Sequence, residues 1–174
     1  MRTVPLQLRF TRRFSMAHRL IAGPSTKCAT PHGHNEFVVV HLAPTGSARL
    51  DGAANMVVEF GQAKKRWHAF VDDHLDHALQ LSHADPLLEL SATHFPGWRI
   101  VVTPGDPTTE LMAALLMSKC QAILDAEQVP LTCVRLELEE TPTNSVVFEG
   151  DPQAVIPSGT SLSPWWTRGD PSTR

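Results

Sequence analysis

Cysteine is scarce in this sequence, which has three cysteines in 174 residues, at positions 28, 120 and 133. Three thiols cannot all pair with one another, so the count excludes the disulfide framework that staples many small secreted domains. It favours free thiols or metal ligands in a reducing compartment. The cysteines are therefore candidates for chemistry rather than for covalent cross-linking.

Long hydrophobic runs are also absent. The longest apolar run, LMAALLM at 111–117, is far shorter than the roughly 20 residues that a membrane-spanning helix needs. The first twenty residues place arginines among the apolar positions and lack the continuous apolar core of a signal peptide. From these two absences we expect a cytoplasmic protein.

A marked excess of charge of either sign is missing as well. The formal net charge is −3, with 19% charged and 42% hydrophobic residues. This composition excludes a disordered tail protein, and the lack of a basic stripe gives no sign of a nucleic-acid binder. A chain of 174 residues fits one domain with a sizeable core, and no internal repeat is visible.

Histidine, by contrast, is abundant, with nine residues, and two of them flank a glycine in the stretch CATPHGHNE at 28–36. Residues two apart in a strand point to the same face, so His32 and His34 direct their imidazoles to one point and Gly33 leaves the backbone between them open. His18 is the leading third candidate, because it ends the preceding β-rich run and a short loop joins the two. Three neutral imidazoles and a water form an open, catalytic type of zinc site.

Two alternatives stay open on spacing alone. A His-x-His pair on a strand can be two solvent-facing histidines, and Cys28 can be a small buried hydrophobic residue. A thiol in a turn beside a bound cation is instead more readily converted to the thiolate. The thiol and the histidine pair together favour a reactive site over either alternative.

Two acidic motifs lie further along the chain. In Leu75-Asp76-His77 an aspartate adjoins a histidine where a helix pattern stops, and the pair can act in a proton relay or can be an ordinary surface helix end. Glu139-Glu140 ends a strand pattern and can be a solvated pair. Alternatively, a buried carboxylate there can bind the N–H edge of a guanidine-like heterocycle through two hydrogen bonds.

The hydrophobic periodicity predicts strands and helices in separate blocks. Two β-rich runs open the chain, two helices follow, and an alternating pair with a turn between them indicates a hairpin. The order β-β-α-α-β-β predicts an α+β fold, a four-stranded antiparallel sheet with two helices on one face, and 80–106 is expected to form an irregular connector. The predicted strands are 5–20, 33–43, 131–139 and 146–150, and the predicted helices are 59–74 and a second one that has Asp106 as N-cap, Pro107 as first residue and an end before Pro130.

The C-terminal stretch 151–174 is rich in Pro, Ser and Gly and is predicted to be an irregular extension of a domain at 1–150. Its Trp165-Trp166 pair is costly to expose, so we expect it to dock on this subunit or on a neighbouring one rather than to be disordered. A four-stranded sheet leaves its edges open, and oligomerisation is one way to close them.

Taken in order, the motifs FSMAHRL, CATPHGH, MVVEF, LDH, PTTE and LEET resemble the 6-pyruvoyltetrahydropterin synthase superfamily, whose fold is the tunnelling fold, or T-fold. The resemblance covers about residues 8–150. Three residues separate Cys28 from His32, which is similar to the bacterial 6-carboxy-5,6,7,8-tetrahydropterin synthases of the queuosine and 7-deazapurine pathway. Lys27 before the cysteine and Leu111 after PTTE are also similar to that branch.

The resemblance implies a role for each of these motifs. It implies Zn2+ held by three histidines, a thiol that removes a proton from the substrate side chain with an acid–histidine pair as its relay, and a glutamate that anchors the pterin ring. The start of the second helix would help to bind the ring, and the lysine beside the thiol would meet the phosphates. The residues are His18, His32 and His34 for zinc, Cys28, Asp76 and His77 for catalysis, Glu140, Thr109 and Glu110 for the ring, and Lys27 for the phosphates.

The implied reaction converts 7,8-dihydroneopterin triphosphate into 6-carboxy-5,6,7,8-tetrahydropterin, acetaldehyde and triphosphate. The alternatives are triphosphate elimination to 6-pyruvoyltetrahydropterin, a side-chain-cleaving relative that supplies folate, and a zinc-stabilised pterin- or purine-binding protein without catalysis. The family usually assembles as a hexamer of two stacked trimers with sites between subunits, which implies a homo-oligomer. The sequence departs from the family pattern at Glu36 and Glu59, and Glu36 shares strand parity with His32 and His34, so it can affect substrate choice.

Overall fold

The computed structural model describes residues 6–46, 50–159 and 162–173 of the chain, so residue 5 of the first predicted strand lies outside the described residues. No helix in these ranges is long and apolar enough to cross a membrane. The elements in chain order are β1 (Leu8–His18), α1 (Thr26–Ala29), β2 (His32–Pro44), α2 (Phe60–Phe70) continued by a π-helical turn (Val71–Leu75), β3 (Ala78–Ser82), α3 (Leu87–His94), β4 (Ile100–Thr103), α4 (Thr109–Ala126), β5 (Leu131–Thr141), β6 (Asn144–Phe148) and two 3-10 turns (Pro152–Ala154 and Trp165–Thr167).

The strands form one sheet in the order β4-β3-β1-β2-β5-β6. The pairs β1–β2, β2–β5 and β5–β6 are antiparallel, as the sequence predicts. In contrast, β3 runs parallel to both β1 and β4. The prediction of a four-stranded antiparallel sheet is therefore wrong, because the sheet has six strands and is mixed. The α+β class is confirmed.

The two additional strands come from 78–103, most of which was predicted to be an irregular connector. β3 has five residues and β4 has four, and three consecutive residues of β3, Gln80 to Ser82, are buried. A short strand that is buried on both faces shows no alternation of polar and apolar residues, so periodicity cannot detect it. The connector also contains α3, which the sequence pattern did not indicate.

The core lies between the sheet and the helices α2 and α4. Even-numbered residues of β1 and β2 face it, among them Phe14 and Val38. α2 contributes Ala63, Trp67 and Phe70 at steps of three and four, which agrees with the predicted amphipathic helix. α4 is apolar nearly all round and is the most deeply packed helix, as its sequence predicts.

α4 begins later than predicted. Its N-cap is Thr108, whose hydroxyl accepts a hydrogen bond from the Leu111 N–H at 3.3 Å. Asp106, the predicted N-cap, instead accepts a hydrogen bond from the backbone N–H of Ala22 at 2.7 Å. An N-cap residue is itself non-helical, so the proline after Asp106 does not exclude it from that role. Asp106 does not cap the helix because its carboxylate is bonded to Ala22, and Thr108 makes the cap hydrogen bond instead.

The C-terminal extension packs on α4 of the same chain. Trp165 and Trp166 are buried, at 0% and 4% exposure, which confirms that the pair docks. The Trp165 indole N–H donates to the Val102 carbonyl at 2.9 Å. Lys119 of α4 is fully buried, and the three N–H groups of its ammonium are shared among four backbone carbonyls of the extension, those of Trp165, Arg168, Asp170 and Ser172.

Candidate functional site

The first two strands bring three histidines together at one end of the sheet. His18 ends β1 and His32 begins β2, and the antiparallel register pairs them directly and places Met16 opposite His34. A Cβ atom at Gly33 would lie 2.7 Å from the carbonyl oxygen of Met16, so the close approach of the backbones requires glycine there. The glycine between the two histidines is thus explained by strand pairing.

The three imidazole rings lie with their centroids 4.6–5.1 Å apart. One ring nitrogen of each lies within 4.8 Å of the others. The Nδ1 atom of His18 lies 3.0 Å from the carbonyl oxygen of Pro107, and Nδ1 of His32 lies 2.8 Å from that of Thr30. Because a carbonyl oxygen only accepts, these partners assign a proton to each Nδ1 and a lone pair to each Nε2.

The Nε2 atoms of His18 and His32 face each other at 3.1 Å. Two lone pairs at this distance repel unless a cation lies beside both. Two nitrogens that bind one tetrahedral zinc are about 3.3 Å apart, so the donor set fits such an ion. Burial lowers the pKa of His18, which keeps its ring in the neutral form that binds metals. The three histidines could therefore hold a divalent metal.

Cys28 is a lining residue of the cleft that holds the three histidines. Cys28 lies in α1, a single turn with Ser25 as its N-cap, and the Leu20 N–H donates to the Cys28 carbonyl at 2.8 Å. The side chain is half-buried and lines a cleft of about 780 Å3 together with the three histidines. The structure thus places Cys28 and the three histidines around one cleft, and the catalytic role of the thiol stays a prediction.

Glu140, Thr109 and Glu110 line this cleft too. The Thr109 hydroxyl donates to Glu140 Oε1 at 2.9 Å, and the same oxygen lies 3.9 Å from His18 Nε2. A carboxylate oriented by one hydroxyl keeps further lone pairs for the N–H groups of a ligand. The β5–β6 hairpin adds polar lining residues that the sequence pattern did not single out, namely Thr141, Thr143, Asn144 and Ser145.

Glu36 is a second carboxyl group beside Glu140. The β2–β5 register pairs Phe37 with Glu139, so its continuation brings Glu36 opposite Glu140. Glu36 is 2% exposed, and its Oε2 atom has no hydrogen-bond partner among the described residues. Burial, followed by the charge of Glu140, raises the pKa of Glu36 to about 8. Strand parity pointed to Glu36, whereas its burial and its unpaired oxygen depend on the tertiary structure.

Asp76 and His77 form a hydrogen-bonded pair. Asp76 Oδ2 lies 2.7 Å from His77 Nδ1, and Asp76 Oδ1 accepts a hydrogen bond from the Ser15 N–H at 2.7 Å. The Ser15 hydrogen bond, supported by His77, holds the pKa of Asp76 below its usual value. The Asp76 carboxylate is therefore suited to orienting the imidazole of His77.

The Asp76–His77 pair does not face the cleft of its own chain. The His77 side chain is 79% exposed and lines a separate cavity of about 760 Å3, which shares no lining residue with the cleft of Cys28. His77 has φ of 60°, in the left-handed region that non-glycine residues rarely adopt. Its N–H donates to the Ser15 carbonyl at 2.6 Å, so the turn is held in this conformation.

Lys27 precedes Cys28 and is exposed. It does not line the cleft, and no lysine or arginine does among the described residues. The predicted contact of Lys27 with phosphates therefore stays a prediction.

The protein is thus an α+β protein with a six-stranded sheet and a candidate metal centre. Three histidines and Cys28 line the cleft at this centre. The same T-fold occurs in solved structures. An uncharacterized protein from Wolinella succinogenes is 22% identical, with a TM-score of 0.69 over 84% of this chain and 98% of that one. The Caenorhabditis elegans 6-pyruvoyl tetrahydropterin synthase is 23% identical, with a TM-score of 0.57 over 84% of this chain and 96% of that one. These identities show the fold alone.

The family model for 6-pyruvoyl tetrahydropterin synthase matches residues 7–151, and the chain belongs to this family. The 6-carboxy-5,6,7,8-tetrahydropterin synthase of Rickettsia bellii is 28% identical over 138 residues, which are 78% of this chain and 95% of that protein. The probable 6-carboxy-5,6,7,8-tetrahydropterin synthase of Halobacterium salinarum is 33% identical over 130 residues, 75% of this chain and 77% of that protein. The family resemblance of the sequence motifs is thereby confirmed.

Proposed function

We propose that this protein is a zinc-dependent lyase that converts 7,8-dihydroneopterin triphosphate into 6-carboxy-5,6,7,8-tetrahydropterin, acetaldehyde and triphosphate. The observation that carries the proposal is one cleft lined by three imidazoles, a half-buried thiol and Glu140. Such a cleft offers metal ligands, a base and a ring anchor within reach of one small molecule. The relatives named 6-carboxy-5,6,7,8-tetrahydropterin synthase support this branch of the family.

The pterin ring binds at Glu140. Its carboxylate accepts two N–H groups of the amino-pyrimidine edge in a charge-assisted pair of hydrogen bonds. Thr109 holds Glu140 Oε1 from the first turn of α4, and Glu110 lines the same part of the cleft. Because Glu140 Oε1 lies 3.9 Å from His18 Nε2, a ring anchored there directs its side chain toward the histidines.

The Cys28 thiolate removes a proton from the substrate side chain, and a group of modest basicity suffices when the neighbouring oxygens are polarised. His18, His32 and His34 would hold the zinc ion, which would supply Lewis acidity that stabilises negative charge on those oxygens. The carbonyls of Pro107 and Thr30 fix the orientation of two of these rings.

Asp76 and His77 complete the cleft of a neighbouring copy of the chain. An oriented imidazole that is 79% exposed and borders a cavity of about 760 Å3 is accessible to a second subunit, and a relay in that position would serve the partner's Cys28. This part of the proposal requires a homo-oligomer, for which we propose the hexamer of two stacked trimers.

We also propose that the reaction takes place in the cytoplasm and belongs to the synthesis of queuosine or another 7-deazapurine. Lys27 would contact the triphosphate of the substrate.

Metal analysis of the purified protein together with product analysis by mass spectrometry tests the proposal. We expect bound zinc, turnover of 7,8-dihydroneopterin triphosphate to the carboxy product with acetaldehyde, and loss of turnover on chelation that zinc restores. Formation of 6-pyruvoyltetrahydropterin alone would replace the proposal by triphosphate elimination. Binding of the pterin without any turnover would identify a non-catalytic binding protein.

Two variants test the thiol and the shared site. Cys28→Ala is expected to lower kcat at least about 100-fold with ligand affinity retained, and Thr26→Ala in the same turn is the control. His77→Ala is expected to lower kcat as well. When the two inactive variants are mixed and reassembled, roughly a quarter of the sites regain both groups if each site is built from two chains. Absence of any recovery would place the relay and the thiol in one subunit.

A further inference from the structure

Four consecutive residues before and at the start of α4, which we call the 106–109 segment, hold different parts of the cleft. The Pro107 carbonyl binds His18 Nδ1 at 3.0 Å, and the Thr109 hydroxyl donates to Glu140 at 2.9 Å. Thr108 caps α4 and so sets where the helix begins. The 106–109 segment therefore orients both a candidate metal ligand and the candidate ring anchor. Asp106, the first residue of this segment, bonds neither the metal ligand nor the ring anchor, and its partner is Ala22.

Asp106 reaches the loop that carries the thiol. Its Oδ2 atom accepts a hydrogen bond from the Ala22 N–H at 2.7 Å across 84 positions of sequence. Ala22 lies in the loop of residues 19–25 between β1 and the turn of Cys28. The other carboxylate oxygen, Oδ1, is buried and has no hydrogen-bond partner among the described residues. Buried acceptors are usually paired, so this aspartate is not optimised for stability alone.

The thiol loop has little packing of its own. Residues 22–27 are exposed, and α1 is four residues long and contains no buried residue. A single helical turn does not persist in water by itself, so the position of Cys28 depends on what holds the loop. The Ser25 cap at 3.3 Å from the Cys28 N–H is a contact within the loop.

The remaining contacts hold the base of the loop. The backbone of Cys28 itself is joined to the end of β1, because the Leu20 N–H donates to the Cys28 carbonyl at 2.8 Å. Arg19, also just after β1, forms an ion pair with the buried Asp85 at 2.9 Å. Asp106 holds the loop further out, at Ala22, and it does so from the segment that also orients the metal ligand and the ring anchor.

We propose that Asp106 is a positioning residue for Cys28, which keeps the thiol in the cleft by holding Ala22. The inference rests on the proposed function only where it assigns proton removal to Cys28, because the placement of the thiol is a property of the fold. A misplaced base lowers the rate of the chemical step while the ring and metal contacts remain. Asp106 therefore acts on kcat rather than on substrate binding.

The test compares Asp106→Ala and Asp106→Asn in the metal-loaded protein. The first measurement is the rate of Cys28 alkylation by iodoacetamide, followed by peptide mass spectrometry, with the buried Cys120 and Cys133 as internal references. We expect Asp106→Ala to react about fivefold faster, because a released loop exposes its thiol. Asn keeps an acceptor oxygen for the Ala22 N–H, so Asp106→Asn is expected to react within about twofold of the wild type.

The second measurement is turnover of 7,8-dihydroneopterin triphosphate. Asp106→Ala is expected to lower kcat roughly 10- to 100-fold and to change KM less than about threefold, and Asp106→Asn is expected to restore most of kcat. Asp51→Ala is the matched control, since Asp51 also accepts backbone N–H groups but in an exposed loop. Equal alkylation rates for Asp106→Ala and the wild type would overturn the inference, and so would a rise in KM alone. If the wild type shows no turnover, the proposed function fails, and the alkylation rates still decide the role of Asp106.

Discussion

Lys119 and Glu36 are both buried ionisable residues of one core, and their surroundings differ sharply. Lys119 has no exposed surface. The three N–H groups of its ammonium are shared among four carbonyl oxygens, and its nitrogen lies 5.2 Å from the centre of the Phe70 ring. Glu36 is 2% exposed, and its Oε2 atom has no hydrogen-bond partner among the residues that the structure describes. The Lys119 ammonium is thus surrounded by acceptors, whereas one oxygen of the Glu36 carboxyl group has no partner among the described residues.

The difference shows two ways in which an ionisable side chain is buried in this protein. Burial lowers the pKa of Lys119 to about 8 and raises the pKa of Glu36 to about 8, so at pH 7 the lysine is charged and the glutamic acid is neutral. The satisfied lysine joins α4 to the C-terminal extension. Glu36, which has an oxygen without a hydrogen-bond partner among the described residues, lies beside Glu140 of the cleft. Buried polar atoms without a partner occur most often near functional sites.

Among the substitutions that test this comparison, Lys119→Met should lower the stability of the protein most. It removes the ammonium donor that four backbone carbonyls share, so we expect the free energy of unfolding to fall by about 4 kcal/mol. Urea denaturation followed by tryptophan fluorescence measures the loss. Lys65→Met, at an exposed position of α2, is the control and should change stability by less than about 0.5 kcal/mol. Equal stability of the two variants would remove the structural role of Lys119.

Glu36→Gln should have the next largest effect, which is to weaken the dependence of stability on pH. The unfolded chain loses the Glu36 proton near pH 4.5, whereas the folded protein keeps it up to about pH 8. Because the folded state binds more protons in this window, its stability falls as pH rises, by up to about 1.4 kcal/mol per pH unit and roughly 3 kcal/mol between pH 5 and 8.

The measurement for Glu36 is a set of urea titrations of the metal-free protein at several pH values. Gln cannot ionise, so the variant is expected to show a flatter dependence of stability on pH than the wild type. Glu139→Gln, on the adjacent position to Glu140 and only half-buried, is the control. A wild-type stability that is constant from pH 5 to 8 would contradict the prediction.

Gly169→Ala tests the packing around Lys119 without changing its charge. A Cβ atom at Gly169 would contact the Ala126 side chain and lie 2.9 Å from the Ala122 carbonyl oxygen on α4. The extension must then move away from α4, which should cost about 2 kcal/mol of unfolding free energy. Gly97→Ala is the control, because a Cβ atom there would have no other atom within 4 Å. Gly159, in the same extension as Gly169, is less suitable because its φ of 82° would strain an alanine. An unchanged melting temperature for Gly169→Ala would show that the close contact relaxes at little cost.

Thr109→Val should have the smallest effect, on ligand binding. It removes the hydroxyl that pairs with Glu140, so both opposed carboxyl groups would lack a fixed partner. We expect the dissociation constant of a pterin to rise about tenfold, which corresponds to about 1.4 kcal/mol. Isothermal titration measures the change, with Thr93→Val, at an exposed position of α3 that does not line the cleft, as control. Unchanged binding would mean that Thr109 does not orient the ring anchor.

Much of the site could be predicted from the sequence because its signals are local. His32 and His34 share a strand face by their spacing, and His18 joins them through a strand pair with a short connection. Cys28 lies close in sequence to the same strand. The roles that depend on distant chain segments could not be predicted in this way. The Asp76–His77 pair was predicted to assist Cys28, but its position in a separate cavity requires the tertiary structure.

The same distinction between local and distant signals applies to the secondary-structure elements. The long strands and α4 were detected from their periodicity, whereas β3 and β4 are short segments that become strands only by pairing in parallel with β1 and with each other. Asp106 was predicted as an N-cap because its neighbours are Pro107 and a helix pattern. Its carboxylate instead bonds Ala22, which no local pattern indicates.

The sequence by itself determined the elements whose hydrophobic periodicity is strong, the grouping of three imidazoles with a thiol, and the family. The tertiary structure decided which buried charges are paired, where the relay pair faces, and which loop Asp106 holds. The physical reason is the range of the interactions. Periodicity and strand parity act over a few residues, whereas the partners of Lys119 and Asp106 lie 46 to 84 positions away and are brought near only when the sheet and helices pack.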